Sequence, residues 1–317
     1  MGGVSGTAKE VAEGARESLR PASADPYAAV RPPIARVPRR FRLALLILRR
    51  AGARFTAHHG LSWAASIAFY VSLSVPPLLI ALTDLAGSLL GSEELRASIV
   101  DQVTQLVPGQ AEVLRDLVPE RSHGPGLPTL VSVLLLLVFG SRALGTLVEV
   151  INLMWRRVED ATWFRRQRLR LVLLLGVGAL FALGIAGRSV VDGTEGAERA
   201  GSLAGSTSGL LLPTLLVGAG LLLTYRLAPG VRVRLRSALI GAVLGAVLLR
   251  AAQAAFSWAL EHGVRGEGVY GPLASIAVLL TWALVASAIV LLGAEIVATL
   301  ERRHIPRGDA LTDADRR

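Results

Sequence analysis

Six long apolar runs limit the fold of this chain more than any other feature. They cover residues 62–91, 128–154, 169–191, 208–228, 237–259 and 271–300. A helix needs about 20 apolar residues to cross the roughly 30 Å hydrocarbon layer of a bilayer, and every run reaches that length. Only 18% of the residues are charged, fewer than in an ordinary soluble domain. The sequence therefore predicts an all-α, polytopic integral membrane bundle with six transmembrane helices.

The positive charges predict the orientation of the bundle. Of the 34 Lys and Arg residues, 26 lie in four stretches, residues 1–61, 151–170, 225–236 and 301–317. Loops rich in Lys and Arg remain in the cytoplasm, so both termini should be cytoplasmic and the number of crossings even. We expect a multi-pass protein of the inner (plasma) membrane. Its basic rim should contact anionic lipids rather than nucleic acid.

Three parts are expected along the chain. Residues 1–40 should form a disordered, basic cytoplasmic tail, residues 41–302 the six-helix membrane domain, and residues 303–317 a cytoplasmic C-terminal tail. The membrane domain begins with FRLALLILRRAGARFTAHHG, which is amphipathic and basic and predicts a helix along the inner membrane surface. The two histidines of this stretch, His58 and His59, should lie at the headgroup level rather than bind a metal.

The absence of cysteine excludes disulfides and thiolate metal sites. No motif for metal-, phosphate- or nucleophile-based catalysis occurs in the sequence. The sequence therefore predicts no cofactor, no metal ligand and no catalytic residue.

The first apolar run carries a regular series of hydroxyl groups. Four residues recur every four positions and therefore share one face of a helix. They are Ser62, Ser66, Tyr70 and Ser74. Pro76 and Pro77 follow and should kink this helix, because each removes a backbone hydrogen bond. The series predicts a cavity lining or, alternatively, hydroxyls that bond back to their own helix.

The outer loop, residues 92–127, should contain two short amphipathic helices separated by Pro108 and Gly109. The apolar face of the first comprises Ile99, Val103 and Leu106. That of the second comprises Val113, Leu114, Leu117 and Val118. Further along, Gly241 and Gly245 have the small-xxx-small spacing that lets membrane helices approach closely.

Four stretches together resemble the YihY/virulence factor BrkB family, formerly described as ribonuclease BN-like. They are AFYVSLSVPPLLIAL, INLMWRRVEDATWFRRQRLR, YRLAPGVRVRLRSALIGAVLGAVL and VYGPLASIAVLLTWALVASAIVLLGAEIVATL. The resemblance covers about residues 40–302 and implies a six-span inner-membrane protein with no agreed biochemical activity. Two positions depart from the family pattern, since Pro77 is a second proline and Ala57 replaces a common acidic residue. In the GAE motif, Gly293 should allow close packing beside the carboxylate of Glu295.

Four charged residues lie inside the apolar runs, namely Arg142, Glu149, Arg250 and Glu295. The helical rise places the two arginines near mid-bilayer and the two glutamates about one third of the way in from the cytoplasm. Charges at this depth are costly, so all four should face inward, and Arg250 should pair with one or both glutamates. They form either a structural ion-pair latch or, with Tyr70, Ser66 and Ser74, a polar intramembrane cavity. Simple snorkelling of Glu149 and Arg157 at the cytoplasmic interface is a further alternative.

These features favour a permease-like protein that handles a small solute through a polar cavity. The alternative is a scaffold or envelope assembly factor that does not transport. A ribonuclease is less well supported, because RNA hydrolysis needs clustered carboxylates or a histidine-based acid–base pair, and neither occurs in the cytoplasmic loops. We therefore expect a non-enzyme. The sequence identifies neither the solute nor the oligomeric state.

Overall fold

All regular secondary structure in the described part of the chain is helical. The computed structural model describes residues 39–90, 93–107, 126–155, 167–169, 171–176, 178–180, 182–184, 203–262 and 272–302. Its helices are α1 (Arg39–Ala57), α2 (Gly60–Leu90), α3 (Glu93–Leu106), α4 (Leu127–Met154), α5 (Leu203–Leu227), α6 (Leu235–Glu261) and α7 (Pro272–Arg302). The predicted all-α class is confirmed.

The chain divides into two compact units, Met1–Leu46 and Ile47–Arg317. Of the first unit, the structure describes only residues 39–46, which form the opening turns of α1. The packed helices and the candidate site lie within the second unit. The predicted tails fall almost entirely outside the described residues, and the division into 1–40, 41–302 and 303–317 stays a prediction.

Five helices of the described chain are long and apolar enough to cross a membrane. They are Gly60–Asp84, Leu127–Met154, Gln167–Gly184, Leu235–Glu261 and Ala274–Arg302, of which Gln167–Gly184 is described only in part. The remaining predicted crossing, residues 208–228, coincides with a shorter apolar helix, Pro213–Leu227. Large apolar side chains such as Leu134, which is 61% exposed on α4, cover the outer surface of these helices. A surface of this kind suits hydrocarbon rather than water, and six crossings stay a prediction.

Helix α2 is the central element of the second unit. It packs against α3, α4 and α7, while α6 packs against α5 and α7. The helix continues through Pro76 and Pro77 from Gly60 to Leu90. The two prolines lack the N–H groups that would bond the carbonyls of Ser72 and Leu73, but the surrounding turns keep the helix intact. The prolines therefore do not end α2, and a kink stays a prediction.

Helix α3 confirms the first amphipathic helix that the sequence predicts between the first two apolar runs. Its residues Ile99 and Val103 are buried against α2. Their spacing places both on one face, as expected for a helix covering an apolar surface. The second predicted helix, around residues 113–118, lies outside the described residues.

Candidate functional site

Glu295 is the most deeply buried charged residue that the structure describes. Its side chain lies on α7 with 0% exposure, and its Oε1 is 2.9 Å from Nδ1 of His58. The imidazole of His58 remains 22% exposed. The Glu295–His58 pair therefore joins a buried carboxylate to a group that reaches the surface of the bundle.

The junction between α1 and α2 positions His58. The next residue, His59, has φ of 53°, in the left-handed region that commonly ends a helix. A Cβ added at Gly60 would overlap the ring of Phe55, so a larger residue there would require Phe55 to move. This tight turn ends α1 and starts α2 within three residues, with the imidazole of His58 directed at α7.

The second carboxylate oxygen of Glu295 has no hydrogen-bond partner in the part of the chain that the structure describes. Among the described residues, Oε2 of Glu295 and Oγ1 of Thr299 are both buried and both unpaired. Thr299 follows Glu295 by four residues and therefore lies one turn further along the same face of α7. Arg54 and Arg302 add positive charge around the carboxylate. Buried polar atoms are normally paired, so these two oxygens require a proton, water or ligand.

Close helix packing surrounds the site. Tyr225 of α5 is fully buried, and its hydroxyl donates to the carbonyl of Val290 at 2.8 Å. A Cβ added at Gly293 would lie 2.1 Å from the Tyr225 hydroxyl oxygen, and one added at Gly241 would lie 2.2 Å from Val297. The close approach predicted at Gly241 is thus confirmed, and Gly293 makes room for a phenol two residues before the carboxylate.

Asn152, near the end of α4, connects this helix to the turn between α5 and α6 by hydrogen bonds. Its amide nitrogen donates to the carbonyl of Ala228 at 3.1 Å, and its amide oxygen accepts from the N–H of Gly230 at 2.9 Å. Arg302 donates to the carbonyl of Met154 at the end of the same helix. The α4 end, the α5–α6 turn and the α7 end therefore meet near the Glu295–His58 pair.

The predicted pairing of Arg250 with a glutamate is wrong. Its Nε donates to Oγ1 of Thr214 on α5 at 2.9 Å, and its Nη1 donates to Oε1 of Gln253 at 2.9 Å. The prediction compared depths in the bilayer, but depth does not fix the direction in which a residue faces around its helix. Arg250 finds neutral acceptors on its own side of the bundle, whereas Glu295 pairs with His58.

Arg142 and Glu149 are not buried with Glu295. Both side chains are exposed on the surface of α4, which differs from the inward orientation that the sequence predicts. Seven residues are close to two full turns, so the two charges share one face about 10.5 Å apart along the axis. The structure therefore does not bring them together with the buried carboxylate, and their role in a polar cavity stays a prediction.

The hydroxyl series of α2 does not lie on its most buried face. Ser62 is exposed, and Ser66, Tyr70 and Ser74 are half-buried. The Oγ of Ser74 donates to the carbonyl of Val71 at 2.8 Å, as the alternative of bonding within the helix predicts. The buried face carries Ser72, offset by two residues or about 200° from the series. The buried hydroxyl of α2 is thus Ser72, whose Oγ has no partner among the described residues.

Sequence reasoning missed the partner of Glu295 and the polar groups around it. His58 was expected at the headgroup level, and neither Tyr225 nor Asn152 was singled out. Tyr225 and Asn152 fall within the four stretches of family resemblance, which could have indicated them, whereas His58 precedes the first stretch by ten residues. Within the described ranges, no group of three or more His, Asp or Glu could hold a metal ion.

The helices and the buried pair define a multi-pass α-helical membrane protein. A family model described as "Virulence factor BrkB" matches residues 51–317. The chain belongs to this family, which confirms the resemblance seen in the four stretches.

Relatives named UPF0761 membrane proteins are similar over most of the chain. The protein from Chromohalobacter salexigens is 31% identical over 273 residues, covering 83% of this chain and 65% of the relative. That from Tolumonas auensis is 32% identical over 181 residues, covering 56% and 60%. That from Photobacterium profundum is 28% identical over 275 residues, covering 81% and 83%. The chain spans less than two thirds of the first two relatives, and these names state no enzymatic activity. No solved structure matches the chain significantly.

Proposed function

We propose that the chain handles a small polar solute in a permease-like manner, in the inner (plasma) membrane with both termini cytoplasmic. The observation that carries this proposal is Glu295, a fully buried carboxylate with one unpaired oxygen inside an apolar helix. Ionisable residues within membrane segments are costly and commonly mark solute or ion pathways. A residue with a purely structural role would be expected to have both oxygens satisfied.

Two further buried oxygens support a polar route. The hydroxyls of Thr299 on α7 and Ser72 on α2 are buried and unpaired among the described residues. Helices α2 and α7 pack directly against each other. A hydrated or solute-filled space between them would supply the missing hydrogen bonds. The proposed route runs along this contact to Glu295 and does not depend on the exposed Arg142 and Glu149.

Thiol labelling tests the route, because a chain without cysteine gives clean single-cysteine variants. A small membrane-impermeant reagent should label Ser72→Cys in lipid vesicles, although this position is buried. The matched control Leu134→Cys faces the apolar exterior of α4 and should stay unlabelled. Equal lack of labelling at both positions would rule out the hydrated route.

The same reagent tests the orientation. The exposed residues Arg232 and His262 lie at opposite ends of α6. Arg232→Cys should react only from the cytoplasmic side, and His262→Cys only from the outside. The reverse pattern would overturn the proposed cytoplasmic termini.

A scaffold or envelope assembly factor is the second candidate function. One observation favours it, namely the exposure of Arg142 and Glu149 on an otherwise apolar face of α4. Charges facing hydrocarbon are unfavourable, so a protein partner that covers this face would stabilise them. If Ser72→Cys inserts normally into the membrane but is not labelled by the reagent, this function would be favoured over solute handling.

A further inference from the structure

The Glu295–His58 pair has the geometry of a proton path with one end at the surface and one inside the bundle. Nδ1 of His58 lies 2.9 Å from Oε1 of Glu295, which allows a proton to pass between them without movement of either residue. The side chain of His58 is 22% exposed, whereas that of Glu295 is fully buried. His58 is therefore the member of the pair that lies nearer the surface of the bundle.

The unpaired oxygen provides a second position for the proton that the pair binds. While this proton is on His58, the imidazolium donates from Nδ1 to the carboxylate, and Oε2 remains a buried oxygen without a donor among the described residues. Transfer of the proton to the carboxylate neutralises both groups, and after rotation of the carboxyl group the O–H can donate to Oγ1 of Thr299. The hydroxyl of Thr299 lies one helical turn from Glu295, is buried and is unpaired among the described residues. It can therefore accept a hydrogen bond from the protonated carboxyl group.

Positively charged groups lie close to the carboxylate. Besides His58, Arg54 and Arg302 add positive charge around it. Of the helices packed against α7, α5 brings the phenol of Tyr225, which is held by the Val290 carbonyl, and α4 carries the exposed Glu149. The carboxyl group thus has charge partners beside it and one buried oxygen unpaired among the described residues, at which a proton can bind.

We propose that Glu295 and His58 form a proton-binding site that exchanges one proton between the basic end of the bundle and the buried face of α7. In loading, a proton from water binds Nε2 of His58, the Nδ1–H bond breaks and an O–H bond forms on Glu295. Rotation of the carboxyl group carries this proton to the Oε2 side, and release reverses the steps. The inference rests on the proposed solute handling, which it would couple to protons.

Infrared difference spectroscopy across a pH titration tests the site in the full chain reconstituted in lipid. Because the chain has 24 Asp and Glu residues, the site is observed as the protonated-carboxyl component that is present in the wild type and missing in Glu295→Gln. The control Glu261→Gln changes an exposed glutamate at the end of α6 and should keep the band. A wild type without such a band, or a band that survives in Glu295→Gln, would overturn the proposal.

Two variants separate the proton path from general damage to the fold. Glu295→Asp retains a carboxyl group and should keep the band at a displaced midpoint. His58→Gln should displace the midpoint by about one pH unit or more, because it removes the nearest charge partner. The control His262→Gln removes an exposed histidine and should leave the midpoint unchanged. An unchanged midpoint in His58→Gln would exclude His58 from the path.

The two proposals can fail separately. Labelling of Ser72→Cys without a Glu295 band would leave solute handling in place and overturn proton coupling. A Glu295 band together with an unlabelled Ser72→Cys variant would establish the proton site and overturn the hydrated route.

Discussion

Two buried carboxylates, Asp84 and Glu295, lie near opposite ends of α2 and differ in how their oxygens are satisfied. Oδ2 of Asp84 accepts a 2.7 Å hydrogen bond from Thr129 at the start of α4, and Asp84 has a further interaction besides this bond. Within the described ranges, Glu295 pairs with His58 through Oε1 and its Oε2 is unpaired. Since Asp84 lies 24 positions after Gly60 in α2, the two sites are separated by about 36 Å along the helix axis.

The two carboxylates therefore differ in role, since one holds two helices together and the other can bind a further group. A satisfied carboxylate such as Asp84 fixes α2 against α4 and has little capacity for another ligand. The unsatisfied oxygen of Glu295 has a cost that packing alone does not offset. Close packing around it, with Tyr225 against Gly293, shows that the region is well ordered rather than loosely built. The difference therefore indicates a structural role for Asp84 at one end of α2. Glu295, near the other end, is the residue at which we propose proton binding.

The largest expected effect comes from removing His58. His58→Leu leaves the carboxylate of Glu295 buried without its nearest partner, which should lower the free energy of unfolding by about 3–5 kcal/mol. Adding Glu295→Gln to this variant should recover most of the loss, because the stranded charge is gone. Chemical unfolding in detergent micelles measures both variants, and a double variant no more stable than His58→Leu would contradict the pairing.

A smaller loss is expected at the other end of α2. Thr129→Val keeps the shape of the side chain but removes the hydrogen bond to Asp84, and should cost about 1.5–3 kcal/mol. It should leave the Glu295 infrared band unchanged, because the two sites are far apart. The same unfolding experiment measures the cost, and Thr104→Val provides the control, since Thr104 bonds only its own helix at an exposed position. A shift of the Glu295 band in Thr129→Val would show that the two ends are coupled.

The sequence predicted the fold class well because apolar length and periodicity are local properties. The helices at Gly60–Leu90 and Leu127–Met154 agree with apolar runs chosen by length, and α3 agrees with a run chosen by its apolar face. Glu295 was also predictable, because a charge inside an apolar run is visible in one dimension. Arginine clustering predicted an orientation that stays a prediction.

The partners of the charged residues were not predictable in the same way. Depth along the membrane normal follows from residue count, but the direction around each helix depends on how the helices pack. Arg250 therefore bonds Thr214 instead of a glutamate, and Glu295 pairs with His58, 237 residues away in sequence. Likewise, the hydroxyl series of α2 was regular, but the buried face of the helix carries Ser72 instead.

The smallest expected change in the free energy of unfolding is at Ser72, and its sign shows whether the interior of the bundle beside α2 is hydrated. The hydroxyl of Ser72 is buried and unpaired, as is Oε2 of Glu295. In a dry interior, Ser72→Ala would remove an unsatisfied polar group and raise the free energy of unfolding. In the hydrated route that we propose, the hydroxyl binds water, and Ser72→Ala should instead lower this free energy by about 0.5–1 kcal/mol. Ser74→Ala is the matched control, because Ser74 bonds the Val71 carbonyl of its own helix and should be nearly neutral in either case. A stabilised Ser72→Ala variant would mean that the α2 face is dry, and Glu295 would then be an isolated proton site without a solute route.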